Sequence, residues 1–492
     1  MKGRTQLRRE LGLFSAVMMG MGGAMSAGGF VILGYAAGLC GSAIVIVVFF
    51  CGILSLLTML SYCELGTTIP QAGGEYTFVK ASFGGFPAFL TGWFEWFSNV
   101  FYSALSAIGF AYIIAYLAPI DVRVTAILMV VLFTAINIRG VKEVGTAESI
   151  ITVVVLAVLA VYAGGGWALS RGIGEFKLSA PGGLSGMLAA TAFLFDLYLG
   201  AEAIAVAQAE IKDPEKTIPR AMILSSVALI AVYTAVTYTT VRIVPAGVLS
   251  GKTSPIAFAA EQVMGRFGGL LITVGVAMAG LATINESIMA QSRVLYALSR
   301  DGYFPRALSE VHGRFGTPHR AILVSSVFTA ALAATGAVNF VVYAVNLGFF
   351  IGFTFVNLSV IRLRRRKPHQ RRPFRVPLYP ITPALGIVTS LVLLVVIARD
   401  APSVLTLGAE ISVLALLVYY LGMMGYRRLR AAVGGINLGI GGFTALLIAL
   451  ARMGRMPILA ALSSGPPLYG AVLVAVLFTL AGVLNLAHGE RR

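Results

Sequence analysis

Apolar positions in this chain form long, nearly unbroken runs from residue 11 to residue 487, not stripes or alternations. Fourteen runs can be marked, at 11–37, 42–65, 86–118, 121–138, 147–169, 186–208, 219–245, 267–298, 321–337, 339–361, 380–398, 403–424, 434–451 and 468–487. A ~30 Å hydrocarbon core needs about 20 apolar residues in a helix. A transmembrane β-strand would alternate in polarity, and these runs are solid. The pattern therefore predicts an all-α polytopic membrane protein with about 14 transmembrane helices. The run at 434–451 is short and rich in glycine, and those at 321–337 and 339–361 are joined by almost nothing.

Composition narrows the class further. Of 492 residues, 58% are hydrophobic and 12% are charged, with mean hydropathy +0.89. Soluble domains carry about 25% charged residues, so a soluble enzyme, a disordered chain and a disulfide-stapled secreted domain are all excluded. The net charge of +17 invites a nucleic-acid reading, but the basic residues lie between the runs. With the N-terminus inside, about three quarters of the 37 lysines and arginines fall on the cytoplasmic side, as the positive-inside rule requires. This predicts a multi-pass protein of the cell membrane with both termini cytoplasmic. The RRRKPHQRRPFR segment at 364–375 then acts as a topology determinant, with contact to membrane lipids secondary and no nucleic-acid partner. MKGRTQLRRE at the start has none of the cleavage features of a signal peptide. Cys40, Cys51 and Cys63 read as small buried hydrophobes, and His312, His319, His369 and His488 as solvated loop residues. No metal site or cofactor is expected.

Two runs carry interruptions. The first contains Gly20-Met21-Gly22-Gly23-Ala24-Met25-Ser26-Ala27-Gly28-Gly29-Phe30, and the sixth contains Tyr198-Leu199-Gly200-Ala201-Glu202. Glycine weakens a helix, and unwound backbone at membrane depth survives only where it is buried in protein or lines a cavity. Glycines also let helices pack closely, which would suffice for the sixth run alone. The pair, at matching positions of two five-helix halves, points instead to unwinding around a transporter site.

At these residues the sequence resembles the amino acid–polyamine–organocation superfamily of secondary transporters. GMGGAMSAGGF in the first run is similar to that family's glycine-rich segment. Ser61-Tyr62-Cys63-Glu64-Leu65 and Pro70-Gln71-Ala72-Gly73-Gly74-Glu75-Tyr76 follow the second run. Leu199-Gly200-Ala201-Glu202 and Asp213-Pro214-Glu215-Lys216-Thr217-Ile218-Pro219-Arg220 mark the sixth, and Thr283-Ile284-Asn285 with Ser292-Arg293-Val294-Leu295-Tyr296-Ala297-Leu298-Ser299-Arg300-Asp301-Gly302 the eighth. The resemblance covers roughly residues 10–400 and implies an inverted five-plus-five helix repeat (LeuT-like). The first repeat would span 1–170, the second 171–362, and about four extra C-terminal helices 363–492. It implies a permease that carries amino acids, polyamines or related amines by alternating access, as an antiporter or symporter.

The resemblance also implies a substrate site at Gly22, Gly23, Ala24, Met25, Ser26, Ala27 and Gly28 in the first break, and at Tyr198, Leu199, Gly200 and Ala201 in the sixth. Backbone N–H groups around Ser26, Ala27 and Gly28 suit a substrate carboxylate. Many relatives have G-S-G where this chain has S-A-G, so the hydroxyl is displaced by one place. Carbonyls at Ala24 and Leu199 suit an ammonium. Ala201 stands where relatives usually have Phe, which enlarges the site. Asn99 matches a position that touches substrate side chains.

Asp196 lies mid-run, where relatives usually carry an aromatic, and a carboxylate in hydrocarbon marks a pathway or a partner. Glu95, Asn99, Tyr102 and Ser106 share one helix face, read either as pocket lining or as a hydrogen-bonded seam between helices. Two carboxylates near the site would favour basic amino acids or amines over acidic ones. Coupling candidates are Asp196, Glu202 and Thr283. Proton-coupled relatives carry a lysine where this chain has Val155, and Ala282 removes the usual partner of Thr283. Glu286 and Glu410 read as packing or cavity residues. H-E-x-x-H, the G-x-S-x-G elbow and the P-loop do not occur. The expected partners are therefore a small-molecule substrate, a proton or an exchanged amino acid, and lipid, with no enzyme chemistry.

Overall fold

The computed structural model describes residues 9–170, 176–252, 254–336, 338–423 and 427–452, with 472, 475, 476 and 478–483 near the C-terminus. The helices, in chain order, begin with α1 (Leu13–Ala24), α2 (Ala27–Cys40), α3 (Ile44–Thr68), α4 (Gly74–Ser82), α5 (Gly85–Leu117), α6 (Val122–Arg139) and α7 (Val141–Leu169). They continue with α8 (Gly183–Leu194), α9 (Ala203–Val206), α10 (Pro214–Ile243), α11 (Ala246–Leu249) and α12 (Pro255–Arg300). The last five are α13 (His319–Ala333), α14 (Val338–Arg366), α15 (Ile381–Asp400), α16 (Pro402–Met423) and α17 (Arg427–Arg452). The thirteen apolar runs up to residue 451 each coincide with a helix or with a broken pair. The run at 468–487 lies mostly outside the described residues.

Among the described residues, nine helical stretches are long and apolar enough to cross a membrane, and Leu13–Ala24, Gly183–Tyr198 and His319–Ala333 are shorter apolar helices. Large apolar side chains such as Leu128, Val131, Val327 and Val395 point outward. Lipid, not water, solvates such a surface. The chain is a multi-pass helical membrane protein.

Helix α12 lies against both α5 and α7, α10 against α3, and α14 against α5 and α15. Helix α1 is enclosed by α10, α7 and α12, so its broken end sits at the centre. Two features were not legible in the runs. The amphipathic α4 is too short to register as a span. Helix α12 starts twelve residues earlier than its apolar run, at Pro255, and turns at Gly265, whose φ of 65° is left-handed. The segment before α1 is pinned to the segment after α9: Leu11 bridges Ile211, and Lys212 N–H donates to the Leu11 carbonyl at 2.9 Å.

Candidate functional site

The first break is made by a serine cap. Met25 leaves the helical region (φ −82°, ψ 63°). Ser26 is extended, and its Oγ accepts the Gly29 N–H at 2.8 Å, capping α2. A serine at this position satisfies one of the four orphan N–H groups of a helix start. The glycines before it stay helical and serve close approach. A Cβ on Gly22 would lie 2.1 Å from Glu148 Oε1, and one on Gly23 would lie 3.0 Å from the Glu286 carboxyl. Within the interrupted segment from Gly20 to Phe30, the break falls at Met25–Ser26.

The second break starts after α8. A 3₁₀ turn covers Phe195–Tyr198, Leu199 is extended, and Gly200 adopts φ 127°. That conformation suits glycine, and a Cβ there would lie 2.2 Å from the Ala24 backbone nitrogen. The two breaks therefore touch backbone to backbone. Glu202 Oε1 accepts the Gly200 N–H at 2.8 Å, so Glu202 braces the break, while its Oε2 has no hydrogen-bond partner.

Side-chain hydroxyls tie the breaks together. Ser26 Oγ donates to Asp196 Oδ2 at 3.2 Å, and both residues are fully buried. Asp196 Oδ1 has no partner. Tyr102 of α5 places its hydroxyl 3.1 Å from the Gly23 carbonyl, 3.2 Å from that of Leu199 and 3.4 Å from that of Asp196. One O–H proton serves one of these three acceptors at a time. Thr283 Oγ1 likewise faces the carbonyls of Gly22, Gly23 and Ala279 at 3.1 to 3.3 Å. The Ala24 carbonyl accepts from Tyr233 at 2.9 Å. The centre is rich in carbonyl and carboxylate oxygen and short of donors. Met25, Ala27 and Ala201 are buried apolar residues at the breaks, and Gly28 packs against α5 through Leu105.

Other expected residues point elsewhere. Glu95 Oε1 and Oε2 accept the N–H groups of Glu75 and Tyr76 at 3.2 and 3.1 Å. Its carboxylate caps α4, where a negative charge meets the helix dipole. Asn99 donates to the Glu95 carbonyl one turn back, at 2.8 Å. In the shared face of Glu95, Asn99, Tyr102 and Ser106, it is the Tyr102 hydroxyl that reaches the breaks. Tyr198 donates to the Val48 carbonyl in α3 at 2.8 Å, and its ring packs edge-on to Tyr233. Val155 is fully buried. Tyr233 was missed in the sequence, because no motif links a tyrosine of α10 to a carbonyl two hundred residues earlier. Arg293 of α12 is fully buried and donates to Glu210 Oε1 at 3.1 Å. Cys40, Cys51 and Cys63 are buried free thiols.

Comparison with known proteins agrees with this architecture. A family described as amino acid permease matches residues 11–423. The chain is 27% identical over 413 residues to the branched-chain amino acid permease BcaP of Bacillus subtilis (strain 168), covering 80% of this chain and 89% of that one. It is 29% identical to the methylthioribose transporter of the same organism, over 77% of this chain and 86% of that one. It is 30% identical to the cystine/glutamate transporter of Pongo abelii, over 75% and 76% of the two chains. The chain belongs to the amino acid permease family, within the amino acid–polyamine–organocation superfamily, and is a membrane transporter rather than an enzyme.

Proposed function

We propose that this permease is a secondary active transporter that carries amino acids with a preference for cationic ones, held between the α1–α2 break and the break at 199–202. The observation that carries the preference is Asp196, a buried carboxylate with one oxygen unpartnered, beside the crowded carbonyls of Gly23 and Leu199. A charged group in such a place is favourable only when matched. A substrate ammonium brings three donors to a centre where acceptors outnumber protons. Glu95, spent on α4, does not add to this charge, so the preference rests on Asp196 alone.

The wider reading follows the family. The chain has fourteen spans in an inverted five-plus-five repeat, with 1–170 and 171–362 as the halves and 363–492 as added helices. It works in the cell membrane with both termini cytoplasmic, and alternating access exposes the breaks to each side in turn. An exchanged amino acid or a proton balances the flux. The relatives' names give branched-chain amino acids, methylthioribose and cystine/glutamate as cargo, and the branched-chain name supports a second reading as a neutral amino acid carrier. Uptake into proteoliposomes separates these. Purified protein is offered labelled lysine, arginine, putrescine, leucine and glutamate, with counterflow as the readout. Saturable counterflow of lysine or putrescine above leucine is the expected result. Leucine transport unaffected by excess lysine would assign the neutral reading, and flux without saturation would remove the carrier altogether.

A further inference from the structure

Helix α1 presses two adjacent glycines against two buried acids. Gly22 faces Glu148 of α7, and Gly23 faces Glu286 of α12. Glu148 is fully buried and Glu286 is 2% exposed. Glu148 Oε2 accepts from Asn285 Nδ2 at 2.8 Å, but Oε1, aimed at the glycine face of α1, has no partner. Thr152 beside it gives its proton to the Met18 carbonyl at 3.2 Å. Glu286 Oε2 has Ser287 Oγ at 3.4 Å. The two carboxyls lie within electrostatic reach of each other and of Glu202.

No cation answers them among the described residues. Helix α1 has no titratable residue. Around the pair are Tyr102 from α5 and Glu202 beside the second break, with Asp196 close to Glu202 in turn. Arg293, two turns further along α12, is taken by Glu210. The charged residues of α6 and α13 sit at their ends, at Arg123, Arg139, His319 and Arg320, and those of α7, Lys142 and Glu143, open that helix. Two carboxylates that share a dry interior without a countercharge cannot both ionise cheaply, and such residues within membranes form proton relays.

We propose that Glu148 and Glu286 together bind and release the proton that is coupled to transport. This rests on the transporter reading above. Binding forms one O–H bond on a carboxylate oxygen, with the proton taken from water on one side. Release returns it to water on the other. The device works because the same two glycines form the last turn of α1, leading into the break: the Gly23 carbonyl faces both the Tyr102 and the Thr283 hydroxyls, each at 3.1 Å. A shift of α1 that opens the substrate site lifts the glycine face from Glu148 Oε1 and lets water reach it. The roles left for Asp196 and Glu202 are then substrate charge and bracing of the second break.

The test uses the full chain in proteoliposomes. An acid-outside gradient should raise uptake of labelled lysine or leucine at least fivefold in the wild type. Glu286→Gln and Glu148→Gln should lose that stimulation and keep counterflow at equal pH. A separate readout on the wild type needs no substitution: a hydrophobic carbodiimide, which reacts with protonated buried carboxyls, should label Glu148 or Glu286 by peptide mass spectrometry, and less so as the pH is raised. Gradient stimulation that persists in both variants overturns the proposal. So does wild-type counterflow with no response to the gradient, or carbodiimide labelling confined to Asp196 and Glu202. Absence of counterflow for every amino acid and amine tested would instead defeat the transporter reading itself. If both variants misfold, the labelling pattern decides.

Discussion

Ser26 and Asp196, 170 residues apart, share one hydrogen bond at the centre of the membrane domain: Ser26 Oγ donates to Asp196 Oδ2 at 3.2 Å while accepting the Gly29 N–H. One serine thereby starts α2 and holds the carboxylate of the other break. Asp196→Asn keeps the shape and removes the charge. It should weaken lysine or putrescine competition tenfold or more, about 1.5–3 kcal/mol for a hydrogen bond to a charged group, and leave leucine within about threefold. Competition assays in proteoliposomes measure this. Equal losses for lysine and leucine would mean that Asp196 is structural.

Gly200 has no room for a side chain and a backbone angle that disfavours one. Gly200→Ala should separate the two breaks and cost several kcal/mol, about the range in which strain and steric overlap act together. Fluorescence-detected thermal melting of the detergent-solubilised protein checks this, with loss of counterflow alongside. An unchanged melting temperature would refute the close contact.

Glu95 belongs to α4. Glu95→Gln should lower stability by about 1 kcal/mol through the weakened cap, and the lysine-to-leucine preference should not move. A change in that preference with stability intact would return Glu95 to the substrate site.

Arg293 and Glu210 are an ion pair with side-chain exposures of 0% and 1%. Removing one partner strands a buried charge, so Arg293→Ala should destabilise by about 3–5 kcal/mol. The Glu210 carbonyl also accepts the N–H groups of Glu10 and Leu11, so protease sensitivity of the N-terminal segment should rise as well. Combining Arg293→Met with Glu210→Leu should recover much of the melting temperature, because no lone charge remains.

Asp301, just past α12, ties that helix to α4 through Lys80 at 2.8 Å and Tyr76 at 2.6 Å. Burial alone would push its carboxyl up, but hydrogen bonds from Lys80 and Tyr76, with the Arg300 and Lys80 charges, hold it below its ordinary value. A depressed carboxyl stabilises the fold above the unfolded value of about 3.9 and loses that contribution as pH falls through the folded value. The pair is partly exposed, so about 1 kcal/mol or less is at stake. The melting difference between wild type and Asp301→Asn should be constant near neutrality and shrink below about pH 4. A difference that grows in acid would refute the assignment.

The membrane class and the helical spans are set by composition and run length, and both interruptions lie in the glycine-bearing segments of the first and sixth runs. An apolar run of about 20 residues has one stable solution in lipid, since every backbone polar group must be satisfied within the segment. The family motifs, from GMGGAMSAGGF to the segment ending at Gly302, are local strings and could be read directly. The partners of the interior polar groups could not. The polar face of Glu95 reads as pocket lining or as a seam between helices, and only the fold places the start of α4 against its carboxylate. Glu286 reads as a packing or cavity residue, and only the fold brings Gly23 of α1 against it; the carbonyl of Ala24 meets Tyr233 from α10. Burial in hydrocarbon tells that a polar side chain must find a partner. Which partner depends on contacts between residues 19 to 263 positions apart in these cases, and no local pattern encodes that distance.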